Sequence, residues 1–354
     1  MLRPKKGITK YLLSSPATFM DELEIRDKLL LTHAFALTNL EEQFSTTMKY
    51  DSPFNRGFYI VALPMLTAEE ERVADNRADQ LIVGASVWYG KRFDNLGVLE
   101  LDGVHGLPTY QPRILSKFYR AAFWNSRVRA NAGPKLELSN FSQLAEHILS
   151  ENGKSKPMEF FHIAGSFYLS ALQIAHIDVS KAYLDLVMAI EVLSNFYEYT
   201  EDELYDDELK DLLLRMSETD LKLIKNRLFQ VSRKYRMTFN RLLTDSFFAV
   251  HEATDIQYAL KLAKCKQHVR TPYELRSKYV HAGFPLERFA SGVLQFNSEV
   301  QVGHPVIAGK TVDAYEDAPT IMGLERMVRF ALLRFLHDHS IKLHQSLNGP
   351  GVKI

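Results

Sequence analysis

A single cysteine, Cys265, stands among 354 residues, which excludes an intrachain disulfide and a metal site built on several thiolates, and suits a reducing compartment. A surplus of either charge is lacking too. Lys and Arg number 43 and Asp and Glu number 43, with a pI near 7.2, so the whole chain is no general polyanion binder, and nucleic-acid affinity would have to come from local charge. No uninterrupted apolar run approaches the roughly 20 residues that a membrane span needs. The first residues carry Arg3, Lys5 and Lys6 but only Tyr11-Leu-Leu before Ser-Ser-Pro, too short for a signal-peptide core. Repeats and low-complexity tracts are absent. The expectation is a cytoplasmic protein with no membrane contact.

What is present is ample apolar material: 46% of residues are hydrophobic, enough for packed cores, and the length allows two or three domains. From Asp21 to about Phe44 the apolar positions Leu23, Ile25, Leu29, Leu30, Ala34, Leu37, Leu40 and Phe44 predict a helix. Gly57 to Leu63, rich in aromatic and branched residues and followed by Pro64, predicts a strand, as does the alternating, glycine-bounded stretch Gly97 to Gly103. Leu81 to Trp88 fits either a strand or a buried helix. Helical patterns return at Ile114 to Trp124 and Phe141 to Leu149. The polar stretch Glu151-Asn-Gly-Lys-Ser-Lys-Pro157 contains both helix breakers and marks a domain boundary. Beyond it the chain reads as helical, with one helix from Met158 to Ile177 and a second, started by Asp178 and Ser180, reaching about Phe196. The fold class expected is mainly α, with a small α+β domain over residues 1–156 and a helical domain over 157–354.

The first half holds no P-loop, no strand-linked G-x-G-x-x-G and no H-E-x-x-H. Phe118-Tyr-Arg120, Arg127, Arg129 and Lys135 mix aromatics with cations, as a single-strand binder would, although a solvated cationic helix face is the commoner reading. Its role stays open between a sensor and a substrate-binding part.

The most informative stretch is Thr271-Pro-Tyr-Glu-Leu-Arg276-Ser-Lys-Tyr-Val-His281-Ala-Gly283. Thr271 as N-cap, Pro272 at the first helical position and Glu274 in a capping box predict a helix of about three turns, closed by Gly283 with Pro285 behind it. Arg276 and His281 then lie about 7.5 Å apart along the axis and about 140° apart around it. A planar cation and an imidazole near a helix end can together serve a phosphate. R-x4-H alone has little specificity. Upstream, Glu191 interrupts the apolar run from Leu184 to Leu193, and a carboxylate there needs a partner; holding Arg276 in place is preferred over general-base work.

The net neutrality hides a polarity. Between Glu198 and Asp220 ten acidic residues face Lys210 and Arg215, whereas from Leu221 to Lys278 thirteen cations face Asp245, Glu252, Asp255 and Glu274. A basic surface leading into the Arg276/His281 helix would gather an anionic chain in a salt-dependent way; the alternative is that these charges solvate helix faces or pair with the acidic tract. Residues Phe284 to Thr320 contain two possible short strands, Val293 to Phe296 and Thr311 to Tyr315, and would form a lid, a dimer contact or a surface embellishment. His337 and His339 point about 200° apart on a helix, so no metal is expected there, and no cofactor is expected anywhere.

Three segments carry a family resemblance. Tyr273-Glu-Leu-Arg276-Ser-Lys-Tyr-Val-His281-Ala-Gly283 resembles the signature helix of HEPN domains, and most closely the Apea-like branch with its R-S-K-x-x-H-x-G form. Ser180 to Leu193 is similar to that branch's earlier helix with its A-x-E-x-L pattern, and Leu324 to Leu336 to its closing helix. The likeness spans about residues 157 to 345, in the family's order. It implies a HEPN-like helical bundle and a metal-independent endoribonuclease acting as a homodimer. RNA supplies its own 2′-hydroxyl as nucleophile, so the protein needs a base, an acid and a cation. His281 is assigned to acid/base work, Arg276 to phosphate charge and Ser277 to a supporting hydrogen bond, with Glu191, Lys278 and Tyr279 as further supporting residues. Where many HEPN motifs carry an amide or an acid, this chain has Ser277. The biology implied is a toxin or an anti-phage defence effector, kept silent by an antitoxin or awaiting an activating partner. The rival reading is a non-catalytic HEPN-like module that binds nucleotide or RNA or serves dimerisation.

Overall fold

The computed structural model describes residues 7–17, 19–34, 57–65, 71–101, 104–105, 136–175, 177–217, 230–284, 298–301 and 318–341, with 220, 224, 286 and the pairs 306–307 and 310–311. Its described part is mainly helical with a small antiparallel sheet.

The sheet is built on β1 (Gly7–Ser15), whose residues Tyr11 to Ser15 are all buried. Short strands follow at β2 (Phe19–Met20), β3 (Leu23–Ile25) and β4 (Leu29–His33), then β5 (Gly57–Met65). After helix α1 (Glu71–Tyr89) come β6 (Asp94–Leu101), β7 (Val104–His105) and β8 (Leu136–Glu137). The strand order is β3-β4-β5-β1-β6-β7, and β1 pairs antiparallel with both neighbours, Gly7 opposite Met65 on one side and Thr9 opposite Leu101 on the other. Strands β2 and β8 form a separate parallel pair.

The helix expected from Asp21 is, in its described part, the hairpin β3–β4. Leu23, Ile25, Leu29 and Leu31 are buried while Glu24 points out, and Leu23 pairs with Leu31 and Ile25 with Leu29. Asp27 at φ 59° makes the turn, and the neighbouring sheet overrides the helical spacing by burying one face of the hairpin. The two strands expected around residues 57 and 97 form as β5 and β6, and Leu81 to Trp88 resolves into α1. The pattern from Ile114 to Trp124, the cation-aromatic group Phe118 to Lys135 and the strand Val293 to Phe296 lie outside the described residues, as does all but Thr311 of the other late strand.

The second half supplies α2 (Ser142–Leu149), α3 (Lys156–Ile174), α4 (Val179–Ser194), α5 (Glu201–Leu204), α6 (Asp207–Leu214), α7 (Val231–Leu242), α8 (Asp245–Phe248), α9 (Cys265–Ala282) and α10 (Ile321–His339). A small hairpin, β9 (Val306–Ile307) with β10 (Lys310–Thr311), precedes α10. Asp178 caps α4 as its sequence position predicts, accepting from the Lys181 N–H. Helix α1 lies between the sheet and α3. A Cβ on Gly165 of α3 would lie 2.6 Å from Val83 of α1, so this crossing depends on the missing side chain. Most buried apolar residues form one cluster running from Tyr11 through Phe161 and Tyr168 to Leu336, and Leu204, Tyr205 and Leu213 form a small second one. Each large side chain so buried contributes about 1.5–3 kcal/mol.

Helix α10 is buried nearly all round and spends its charges internally. Glu325 accepts from the Tyr168 hydroxyl. Arg329 donates from Nε to the Val87 carbonyl at 2.7 Å and from Nη2 to that of Trp88, satisfying carbonyls at the end of α1 that lack helical partners. Arg326 pairs with the fully buried Glu299.

Candidate functional site

Helix α9 starts at Cys265, six residues before the expected Thr271. Thr271 sits inside it, buried, its hydroxyl donating to the Gln267 carbonyl at 2.9 Å, and Pro272 is interior as well. Glu274 does not close a capping box; it pairs with Arg270 one turn back at 2.5 Å. What carries the helix through Pro272 is tertiary burial: His268, Val269, Thr271, Pro272 and Leu275 are all buried. The actual start follows a 3-10 turn at Leu262–Lys264 and has no side-chain cap, so no local residue announces it. The far end is as expected. Gly283 at φ +64° closes the helix and returns its N–H to the carbonyls of Lys278 and Tyr279.

The last turn faces water. Lys278, Val280, His281, Ala282 and Gly283 are exposed, Val280 at 52%, while Ser277 is half-buried and Tyr279 packs against the core. His281 and the Ser277 hydroxyl make no hydrogen bond among the described residues. No hydrogen bond or ion pair joins Arg276 to His281 there either; the two share the helix but not a contact.

Arg276 faces α4 instead. Its Nη2 stands 3.6 Å from Glu191 Oε2, an ion pair just beyond hydrogen-bond reach, with 26% of the Arg276 side chain and 17% of the Glu191 side chain exposed. Burial pushes the Glu191 carboxyl up, and the Arg276 charge pulls it partly back. The guanidinium also lies 5.8 Å from the centre of the Tyr273 ring, within cation–π range. Tyr273 in turn packs against Tyr235 of α7, the rings tilted by 47° with centres 5.1 Å apart, and Tyr235 is a fully buried ring whose hydroxyl has no hydrogen-bond partner among the described residues. Burial, with the nearby Tyr183 and the Glu191 charge, pushes that phenol far above its ordinary range. Tyr273 and Tyr235 were not singled out from the sequence. An aromatic three residues before the arginine, on the same helix face, was the available signal for Tyr273.

The two charge tracts meet where Arg233 of α7 lies 3.8 Å from Asp206 at the start of α6; Lys210 pairs within the acidic tract, 3.4 Å from Asp202, and Arg241 covers the Tyr197 ring at 4.6 Å. Such exposed pairs are each worth about 0–1 kcal/mol, so they leave the cations available to a stronger anion. His339 hydrogen-bonds Tyr197 at 3.1 Å, and no group of three or more His, Cys, Asp or Glu able to hold a metal occurs among the described residues. No helix of the described residues is long and apolar enough to cross a membrane.

The arrangement can therefore present one exposed imidazole and, about 140° around the same helix, a guanidinium steadied by a carboxylate and a ring. A guanidinium suits a phosphate anion, and an imidazole suits the transfer of a proton to or from a hydroxyl beside it. Compared with protein-family models, with curated proteins and with solved structures, the chain matches none of them.

Proposed function

We propose that the chain is a metal-independent endoribonuclease of HEPN type, a toxin or anti-phage defence effector that acts on RNA as a homodimer. His281 exchanges the protons of 2′-hydroxyl attack and 5′-oxygen departure, and Arg276 balances charge at phosphorus. One chain offers one such imidazole at the motif, so the second comes from a second copy across a two-fold axis. The observation that supports this reading most is that His281 lies exposed on the closing turn of α9 while Arg276, half-buried, keeps an edge toward solvent. Val280, exposed beside His281, gives that turn apolar surface for a partner copy. Ser277, Lys278 and Tyr279 serve as supporting residues.

The test is incubation of the purified protein and His281→Ala with mixed RNA in EDTA. Cleavage by the native protein and none by the variant is expected; equal cleavage by both would remove His281 from the reaction.

The Arg276–Glu191 pair favours one second reading, in which the motif locks α9 to α4 and the domain binds RNA or nucleotide without cutting. RNA binding by both proteins with cleavage by neither is its signature.

A further inference from the structure

Arg276 already has a carboxylate beside it. The Glu191 contact, at 3.6 Å, is an attraction of charges without a hydrogen bond to break, and the central carbon of the guanidinium lies 5.8 Å from the Tyr273 ring centre. Tyr273 is itself backed by Tyr235, whose ring is fully buried. A phosphate offers the same fork two charge-assisted hydrogen bonds, more than Glu191 supplies here.

We propose that Glu191 is an intramolecular counterion which a substrate phosphate displaces from Arg276, and that Tyr273 is the positioning residue on which the guanidinium turns; this rests on the ribonuclease reading. Glu191 then sets a threshold. A small free anion gains too little to separate the pair, whereas a polynucleotide held by further cations does so. The carboxylate left behind takes a proton from solvent more readily than an exposed one, because burial already disfavours its charge.

The experiment measures affinity at low salt for a fluorescent RNA oligonucleotide carrying 2′-O-methyl groups throughout, which cannot be cut by 2′-hydroxyl attack. Glu191→Gln is expected to bind roughly fivefold more tightly than the native protein, and the gain is expected to vanish when Arg276→Gln is added. Equal or weaker binding by Glu191→Gln overturns the proposal, because Glu191 would then be orienting Arg276 instead of competing for it. A gain that persists beside Arg276→Gln also overturns it, as a general charge effect. Should Glu191→Gln not fold, Glu191→Asp, which shortens the carboxylate arm, is expected to tighten binding in the same way, and its failure to do so counts equally against the idea. Tyr273→Phe should bind as the native protein does and Tyr273→Leu about threefold more weakly; native affinity in Tyr273→Leu overturns the ring's part. Binding of the modified oligonucleotide with no cutting of unmodified RNA would remove the nuclease reading and leave only the displacement of Glu191 by a bound, uncut RNA to be decided by these affinities. Absence of binding by every variant removes both.

Discussion

Glu299 and Arg326 form an ion pair sealed inside the protein: Nη1 of Arg326 lies 3.0 and 3.1 Å from the two carboxylate oxygens, and Glu299 has no exposure at all. The same carboxylate accepts the backbone N–H groups of Glu252 at 2.8 Å and Leu260 at 3.0 Å, and the same guanidinium donates to the carbonyls of Phe247 and Val250. One pair thus fastens the segments on both sides of the 3-10 turn Ile256–Tyr258 to the central helix α10. Arg326→Met would leave a buried carboxylate without its cation and two carbonyls without this donor. A loss of about 3–5 kcal/mol is expected, read as a fall in the urea midpoint, and an unchanged midpoint would show that water replaces the arginine freely.

Gly323 sits where the same fastening comes closest to the helix. Thr320 caps α10 by accepting from the Gly323 N–H at 3.2 Å, and Thr320 in turn donates its own N–H to the Glu299 carbonyl at 3.0 Å. A Cβ on Gly323 would overlap that carbonyl oxygen, which is backbone and cannot swing aside. Gly323→Ala should therefore cost about 1–3 kcal/mol, although alanine ordinarily favours a helix. Thermal melting of this variant beside Gly283→Ala separates crowding from conformation: a Cβ on Gly283 meets nothing within 4 Å, so its cost, about 1 kcal/mol, comes from φ +64° alone.

How much of this was readable beforehand depends on whether the signal was local. The strand at Gly57, the cap at Asp178 and the stop at Gly283 are each written in a few adjacent residues, and each forms. The start of α9 is not, because Lys264 caps nothing and the decisive force is burial of His268, Val269 and Leu275 against other helices. Pro272, a plausible first residue, is instead tolerated in the interior. At Asp21 to Phe44 the spacing of Leu23, Leu29 and Leu30 mimics a helix, while the competing period-two pairs Leu23/Ile25 and Leu29/Leu31 about Arg26-Asp27-Lys28 carry the true hairpin. At the candidate site, Arg276, His281 and Glu191 were legible as residue types in a run. The pairing of Glu191 with Arg276 was expected from the apolar company of the carboxylate, and the two stand 3.6 Å apart; that Tyr273 joins them and that Arg276 makes no contact with His281 required the packing of α4 and α7 around α9.

His281→Ala is expected to leave thermal stability unchanged, since the side chain is exposed and makes no hydrogen bond among the described residues. Its effect should fall on chemistry alone, as a loss of about 10²–10⁴ in the single-turnover cleavage rate. A variant that melts earlier while cutting RNA at the native rate would place the imidazole in the fold and not in the reaction.

His162, on α3, sets a pH limit on the fold. It is 8% exposed, neither ring nitrogen has a hydrogen-bond partner among the described residues, and burial pushes its pKa down to about 4 from an ordinary value of 6.5. The folded protein therefore holds this imidazole neutral where the unfolded chain would protonate it. Below the unfolded pKa the unfolded state binds more protons, so stability is complete above about pH 6.5 and falls as the pH drops toward 4. At pH 5 the loss is about 2 kcal/mol. Urea unfolding of the native protein and His162→Leu across this range checks it: the variant should lose less stability than the native protein between pH 7 and pH 5, by about that amount. Parallel curves for the two proteins would mean that water reaches the ring and that other groups govern the acid limit.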